Sequence, residues 1–297
     1  MAGIAFIGLG NMGGPMAANL VKAGHQVVAF DLLQDSRNRA RSDGAAIADS
    51  AASAVKGAAV VVTMLPAGTH VLSVWNEVIP EMSKGALIID CSTIDVESAK
   101  KAHALAAGHG AASVDAPVSG GTGGARAATL TFMCGGEEKA FATARPVLET
   151  MGKRIVHCGG AGAGQAAKIC NNMILGVSMI VVSEAFTLAE RLGLSPQALF
   201  DVASTSSGQC WSLTSYCPVP GPVPASPANN DYKPGFATAL MLKDLTLAQD
   251  AAKATGAATP LGTHAQEIYQ AFDAAGNGGT DFSGIIRHVR ALSEEQR

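Results

Sequence analysis

Short apolar runs recur through the first 160 residues, each bounded by glycine or polar positions: GIAFIG from Gly3, QVVAF at 26–30, VVVTML at 60–65, ALIIDC at 86–91, SVDAP at 113–117, LTFMC at 130–134 and RIVHC at 154–158. Runs of this length, rich in valine and isoleucine, predict strands, and the stretches between them, the first at about 12–23, predict helices. Strands alternating with helices imply right-handed βαβ units and a largely parallel sheet. The rhythm changes near residue 160. Beyond it no run reads convincingly as a strand, and residues 164–192 read as one helix of roughly 29 residues, about 43 Å long at 1.5 Å per residue. Further helices are expected at about 195–206, 237–255 and 260–274, with CPVPGPVPASP at 217–227 as a connecting loop. The expected fold is α/β: a doubly wound sheet in a domain of residues 1–161, then a long interdomain helix opening an all-α domain of residues 162–297.

Composition fits a soluble globular chain, with 48% hydrophobic and 15% charged residues and a net charge of −3 over 297 residues, a length that suggests two domains. No basic block is present to track a phosphate backbone, so nucleic acid and anionic membrane are poor partners. The six cysteines, at 91, 134, 158, 170, 210 and 217, make no CxxC pair and the histidines no HExxH spacing, so no metal site is expected. The thiols read as reduced, small core residues, which points to a reducing compartment. MAGIAFIGLG runs straight into the first strand without a charged leader, so a cytoplasmic location is expected. The most apolar run, MILGVSMIVV at 173–182, has ten residues, well short of the ~20 that a bilayer requires, and reads as buried helix.

The first chemical motif is GLGNMGGPMAANLVKAG, beginning at Gly8. Gly8, Gly10 and Gly13 follow the strand IAFI and open a helix, the Rossmann arrangement for a dinucleotide. Gly8 permits the tight turn, Gly10 lets the backbone approach a pyrophosphate, and Gly13 lets helix pack on strand. The N–H groups of Asn11 and Met12 face the anion. VVAFD ends on Asp31, 18 residues past Gly13, where a carboxylate accepts hydrogen bonds from the adenosine ribose and repels a 2′-phosphate. NAD is therefore expected over NADP, although Arg37, six residues on, is of the type that accepts that phosphate.

Two further stretches carry chemistry. VSGG at 118–121 reads as a loop leaving a strand, its N–H groups and the Ser119 hydroxyl suited to a carboxylate. In GAGQAAKICNNMIL at 162–175, Lys168 lies among small and apolar residues, where a helical lysine normally turns to water. Asn172 follows four residues later, hence on the same helix face one turn away, so both side chains can reach one ligand. Leu65 and Pro66, and Ser92 and Thr93, end strands whose carboxyl ends line a dinucleotide crevice.

Four blocks, FIGLGNMGGPMAANL at 6–20, DAPVSGGTGGARAATLTFMCGG at 115–136, GAGAGQAAKICNN at 160–172 and KDLTLA at 243–248, resemble the 3-hydroxyisobutyrate dehydrogenase branch of the β-hydroxyacid dehydrogenases, in family order over nearly the whole chain. Ala128 and Cys134 depart from it, standing where relatives often carry glycine and valine. The resemblance implies an N-terminal Rossmann domain, a long interdomain helix, a helical C-terminal domain and a homodimer or homotetramer. It implies Lys168 as general acid/base, substrate contacts from Ser119, Gly120, Gly121 and Asn172, and cofactor contacts from Leu65, Pro66, Thr93 and Lys243. Trp211 and Tyr216, just before the prolines, are candidates for the wall of the substrate pocket, with a core or interface role as the alternative.

The implied reaction is NAD-dependent oxidation of a short 3-hydroxy acid, 3-hydroxyisobutyrate to methylmalonate semialdehyde, a step of valine and branched-chain amino acid catabolism. Hydride passes to nicotinamide C4 as Lys168 takes the hydroxyl proton. An unperturbed lysine titrates near ~10.4, so this role requires burial and positive charge nearby. L-serine dehydrogenation, or reduction of glyoxylate, succinic semialdehyde or tartronate semialdehyde, would use the same residues and stands as the alternative. A non-catalytic dinucleotide-binding protein would have no use for a buried cation at position 168.

Overall fold

The computed structural model describes residues 2–295 and divides into two compact units, Met1–Lys168 and Ile169–Arg297. The first unit is built on one nine-stranded sheet. Its strands are β1 (Gly3–Ile7), β2 (Gln26–Phe30), β3 (Ala46–Ile47), β4 (Val60–Thr63), β5 (Leu87–Asp90), β6 (Ala112–Asp115), β7 (Val118–Ser119), β8 (Leu130–Gly135) and β9 (Gly152–Gly159). They lie in the order β3-β2-β1-β4-β5-β6-β8-β7, with β9 paired to β8. The six strands from β3 to β6 are all parallel, which is the 3-2-1-4-5-6 order of the dinucleotide-binding fold. β8 then turns antiparallel to β6 and β7, and β9 runs parallel to β8.

VVVT in β4 and LIID in β5 are buried along their whole length, as central parallel strands covered on both faces must be. Alternate residues feed two cores: Ile4, Phe6, Val60, Val62, Leu87 and Ile89 on one face, Ala5, Ile7, Val61 and Ile88 with Trp75 on the other. Each large apolar side chain fully buried there contributes about 1.5–3 kcal/mol. The register aligns the carboxyl ends of five neighbouring strands, so that Phe30, Ile7, Thr63, Asp90 and Asp115 form one row. The loops that carry the expected dinucleotide residues leave from this row.

Two strands, β3 and β7, have two residues each and are too short for a hydrophobic period to mark. VSGG, expected as a loop, instead begins inside β7 and passes through Gly120 into the helix Gly121–Ala127. Gly120 has φ 134°, a backbone conformation that a side chain would strain.

The segment Ala163–Arg191 is a single 29-residue helix. It is long and apolar enough to cross a membrane, more so than its ten-residue apolar run suggests, and half of its most apolar window is buried by the rest of the chain. Ser183 and Thr187 are buried on it, their hydroxyls donating to the carbonyls of Met179 and Ser183 one turn back.

The second unit adds the helices Pro196–Ala203, Thr238–Thr255 and Pro260–Phe272 near their expected places, and a C-terminal helix, Ile285–Glu295. Met179, Met241, Leu245, Tyr269, Phe272 and Ile285 form one core cluster, and Phe186, Leu213, Val219, Tyr232 and Ile286 another. The proline-rich segment 217–227 is packed down: Cys217 and Val219 are buried, Ser226 Oγ donates to the Cys217 carbonyl at 2.6 Å, and Tyr232 donates to the Pro218 carbonyl at 2.7 Å.

Candidate active site

The three glycines after β1 separate by cause. A Cβ at Gly8, where φ is 94°, would lie 2.2 Å from the Met64 carbonyl oxygen, and one at Gly13 would lie 1.9 Å from the Gly8 oxygen. Both are therefore demanded by the protein's own packing. Gly10 is different: it is exposed, and a Cβ there would meet nothing within 4 Å. Its missing side chain leaves open space in front of the helix Gly13–Lys22, beside exposed Asn11 and half-buried Met12. Unsatisfied N–H groups at a helix start, approached through such space, fit a pyrophosphate.

Asp31 ties this loop to the end of β2, accepting from the Leu9 N–H at 2.6 Å and the Leu33 N–H at 2.8 Å. The Arg37 guanidinium donates to the carbonyls of Asp31 and Leu32, at 2.5 and 3.2 Å, and to Gln34 Oε1 at 2.7 Å. Arg37 thus braces the turn that presents the Asp31 carboxylate.

Beside it, the loops after β4 and β5 are bonded to each other. The Leu65 N–H donates to Ser92 Oγ at 2.7 Å, and Ser92 Oγ donates to Asp90 Oδ1 at 2.6 Å. Thr63 Oγ1 donates to the same oxygen at 2.7 Å and accepts from the Trp75 indole at 3.2 Å. Asp90 is 2% exposed and its Oδ2 has no hydrogen-bond partner. Burial pushes its carboxyl up to about 6, against the hydrogen bonds from Ser92 and Thr63 that pull it down. Pro66 is exposed and Thr93 half-buried, next to this network.

The entry to the long helix is held by Asp115. Its Oδ1 accepts from the Gly162 N–H and its Oδ2 from the Gln165 N–H, both at 2.9 Å, and His103 Nε2 lies 2.9 Å from Oδ1. The Gln165 amide reaches back to the β5 loop, accepting from the Ile94 N–H at 3.1 Å and donating to the Ser92 carbonyl at 2.7 Å. Gln165, Lys168 and Asn172 are 0%, 6% and 1% exposed. At spacings of three and four residues they share one helix face. Lys168 is therefore a buried lysine and not a solvated surface one.

In the second unit, Asn172 Nδ2 donates to Asp244 Oδ2 at 2.5 Å and Asn172 Oδ1 accepts from Asn171 Nδ2 at 2.9 Å. Asp244 is buried on the helix Thr238–Thr255, and half-buried Lys243 precedes it. Trp211, 51% exposed, stacks on Tyr216 with ring centroids 4.8 Å apart. Burial, and then the Asp281 carboxylate that accepts its hydroxyl at 2.9 Å, push the Tyr216 phenol well up. Tyr216 is thus a fixed wall for Trp211. In the first unit, half-buried Ser119 ends β7 and is followed by Gly120 and Gly121.

The sequence reading missed Asp90, Asp115, Gln165 and Asp244. Each lies inside or beside a motif that was quoted, but its role depends on partners far along the chain. Among the described residues, no group of three or more His, Cys, Asp or Glu side chains could hold a metal ion.

A family model of the NAD binding domain of 6-phosphogluconate dehydrogenase matches residues 3–160. A second, described as NAD-binding of NADP-dependent 3-hydroxyisobutyrate dehydrogenase, matches residues 162–289. The solved structure of Mycobacterium tuberculosis 3-hydroxyisobutyrate dehydrogenase with L-serine superposes with a TM-score of 0.95 at 56% identity, covering 98% of this chain and 99% of that one. The 3-hydroxyisobutyrate dehydrogenase of Pseudomonas aeruginosa is 50% identical over 98% of this chain and 99% of its own length. The NAD-dependent L-serine dehydrogenase of the same organism is 47% identical over 96% and 97%. With a dinucleotide cradle after β1, a buried lysine on the long helix and relatives matched end to end, this chain belongs to the NAD-binding 3-hydroxyisobutyrate dehydrogenase family of oxidoreductases.

Proposed function

We propose that this chain oxidises 3-hydroxyisobutyrate to methylmalonate semialdehyde with NAD, as a step of valine catabolism. The observation that carries this reading is the burial of Lys168 and Asn172 on adjoining turns of one helix. A lysine and an amide four residues apart on one helix face can both reach a single small ligand, as a hydroxy acid requires.

The Gly8–Gly13 loop, with Gly10, Asn11 and Met12 at its tip, holds the pyrophosphate, and Asp31 binds the adenosine ribose. Leu65, Pro66, Thr93 and Lys243 complete the cofactor contacts. Bound NAD supplies the hydride acceptor, nicotinamide C4. Ser119 Oγ and the N–H groups of Gly120 and Gly121 hold the substrate carboxylate. Asn172 orients the hydroxymethyl end, and Lys168 Nζ removes the hydroxyl proton as the carbonyl forms, returning it in the reverse reaction. Trp211 and Tyr216 wall the substrate pocket. Asp31 and the Arg37 that braces it support NAD over NADP. Six unpaired thiols support a cytoplasmic setting, and an exposed apolar stripe on the long helix supports a homodimer or homotetramer.

L-serine is the second reading, favoured by the similarity to an L-serine dehydrogenase and to a structure holding L-serine. The two acids share the carboxylate and hydroxymethyl groups and differ at C2, methyl against ammonium. The test is kcat/KM with NAD for 3-hydroxyisobutyrate, L-serine, glycerate and 4-hydroxybutyrate, with 3-hydroxyisobutyrate expected to lead. A lead for serine would select the second reading, and a tenfold lead (about 1.4 kcal/mol) for 4-hydroxybutyrate would overturn both.

A further inference from the structure

We propose that Gln165 is a positioning residue that locks the turn carrying Lys168 to the cofactor loop after β5. This inference rests on the reading of Lys168 as the proton carrier.

Gln165 is anchored twice. Its backbone N–H donates to Asp115 Oδ2 at the end of β6, beside the Gly162 N–H on Oδ1. Its side-chain amide spans Thr93, donating to the Ser92 carbonyl on one side and accepting from the Ile94 N–H on the other. Ser92 in turn receives the Leu65 N–H, so the amide closes a continuous set of bonds through both loops of the crevice. Lys168 lies three positions beyond Gln165, a rise of about 4.5 Å on the same face. Any roll or slide of this first turn, and with it of the lysine, must break both amide bonds. The amide satisfies the buried Ser92 carbonyl and Ile94 N–H, which an apolar side chain of equal volume would leave without partners, and it does so in one orientation of the turn. What the amide adds is direction, and a displacement of about 1 Å at a reacting group costs on the order of 10² in rate.

The test compares the native enzyme with Gln165→Met, which keeps length and volume but removes both bonds, and with Gln165→Glu, which keeps the acceptor for Ile94 and loses the donor to Ser92. The readouts are thermal midpoint, NADH binding by fluorescence, kcat, and the deuterium isotope effect on kcat with substrate labelled at the hydroxyl carbon. For Gln165→Met, kcat should fall about 10- to 100-fold while the Kd for NADH changes by less than about threefold, and the isotope effect should rise as hydride transfer becomes limiting. Gln165→Glu should show the same pattern. A kcat within about twofold of native with an unchanged isotope effect would overturn the proposal. So would a loss of kcat matched by an equal loss of NADH-binding sites, or failure of both variants to fold, since each would make Gln165 purely structural. A native enzyme that turns over no hydroxy acid of the panel would instead sink the functional reading, and this inference with it.

Discussion

Asn172 and Asp244, 72 residues apart, are joined by a 2.5 Å hydrogen bond from Nδ2 to Oδ2, with both side chains buried. The bond ties the KDLTLA block to the long helix: its aspartate fixes which way the Asn172 amide faces. A hydrogen bond to a charged group is worth about 1.5–3 kcal/mol. Asp244→Ala and Asn172→Ala should therefore each raise KM for the hydroxy acid about 10- to 100-fold, with NADH binding nearly unchanged. Because the two act as one unit, the double variant should be little worse than either single. Additive losses would show that Asp244 does not work through Asn172.

Gly10 and Gly13 should fail in opposite ways. In Gly13→Ala the new methyl is driven against the Gly8 carbonyl, so urea unfolding should show a loss of at least about 1–3 kcal/mol. In Gly10→Ala the methyl meets no protein atom, so stability should stay within about 0.5 kcal/mol of native. NADH fluorescence titration should nevertheless show Gly10→Ala weakened at least about tenfold, because the methyl occupies the approach to the pyrophosphate. Native-like NADH affinity in Gly10→Ala would remove the cradle from the argument.

These contrasts show what the sequence could and could not convey. Strands such as VVVTML and ALIIDC announce themselves because valine and isoleucine runs are buried on both faces, and GLGNMGG follows a strand and opens a helix. Lys168 and Asn172 share a face by spacing alone. The bonds that orient them do not have a local signature: Gly162 reaches Asp115 across 47 residues, Gln165 reaches Ser92 across 73 and Asn172 reaches Asp244 across 72. β3 and β7 escape because two residues cannot display a period.

Cofactor choice tests the turn after β2. The native protein should prefer NAD over NADP by at least about tenfold in kcat/KM, or 1.4 kcal/mol. Asp31→Ala should relieve rejection of NADP, and it should weaken NAD by more than the lost ribose contact, because the Leu9 and Leu33 N–H groups lose their acceptor. Equal kcat/KM for the two cofactors in the native protein would defeat the assignment of Asp31.

Assembly follows from a stripe on the long helix. Ile174, Val181 and Leu188 recur every seven residues and are 65%, 54% and 60% exposed. Such spacing keeps them on one side over four turns, a seam suited to another helix and unsuited to water. Light scattering should give at least twice the 30.0 kDa chain mass, and Val181→Asp should shift the particle toward the single chain. A native particle of one chain mass at micromolar concentration would refute the seam.

Lys168 carries the most demanding prediction. Lys168→Ala should lower kcat for alcohol oxidation by about 10² to 10⁴, the scale of general acid–base help, while NAD affinity stays nearly intact because the proposed mechanism gives Lys168 a proton to carry and no part in holding the cofactor. Lys168→Arg separates the two ways a cation can act. Arginine keeps the charge but does not give up its proton at any useful pH, so it cannot serve as the base and should not restore activity, whereas a purely electrostatic role would be partly restored. On the proposed mechanism, oxidation requires the lysine without its proton and reduction requires it with one. The kcat of oxidation should therefore rise with pH and that of reduction fall, each along a single-group curve that Lys168→Ala abolishes. Near-native kcat in Lys168→Ala with the same pH profile would make Lys168 a buried structural residue and end this mechanism.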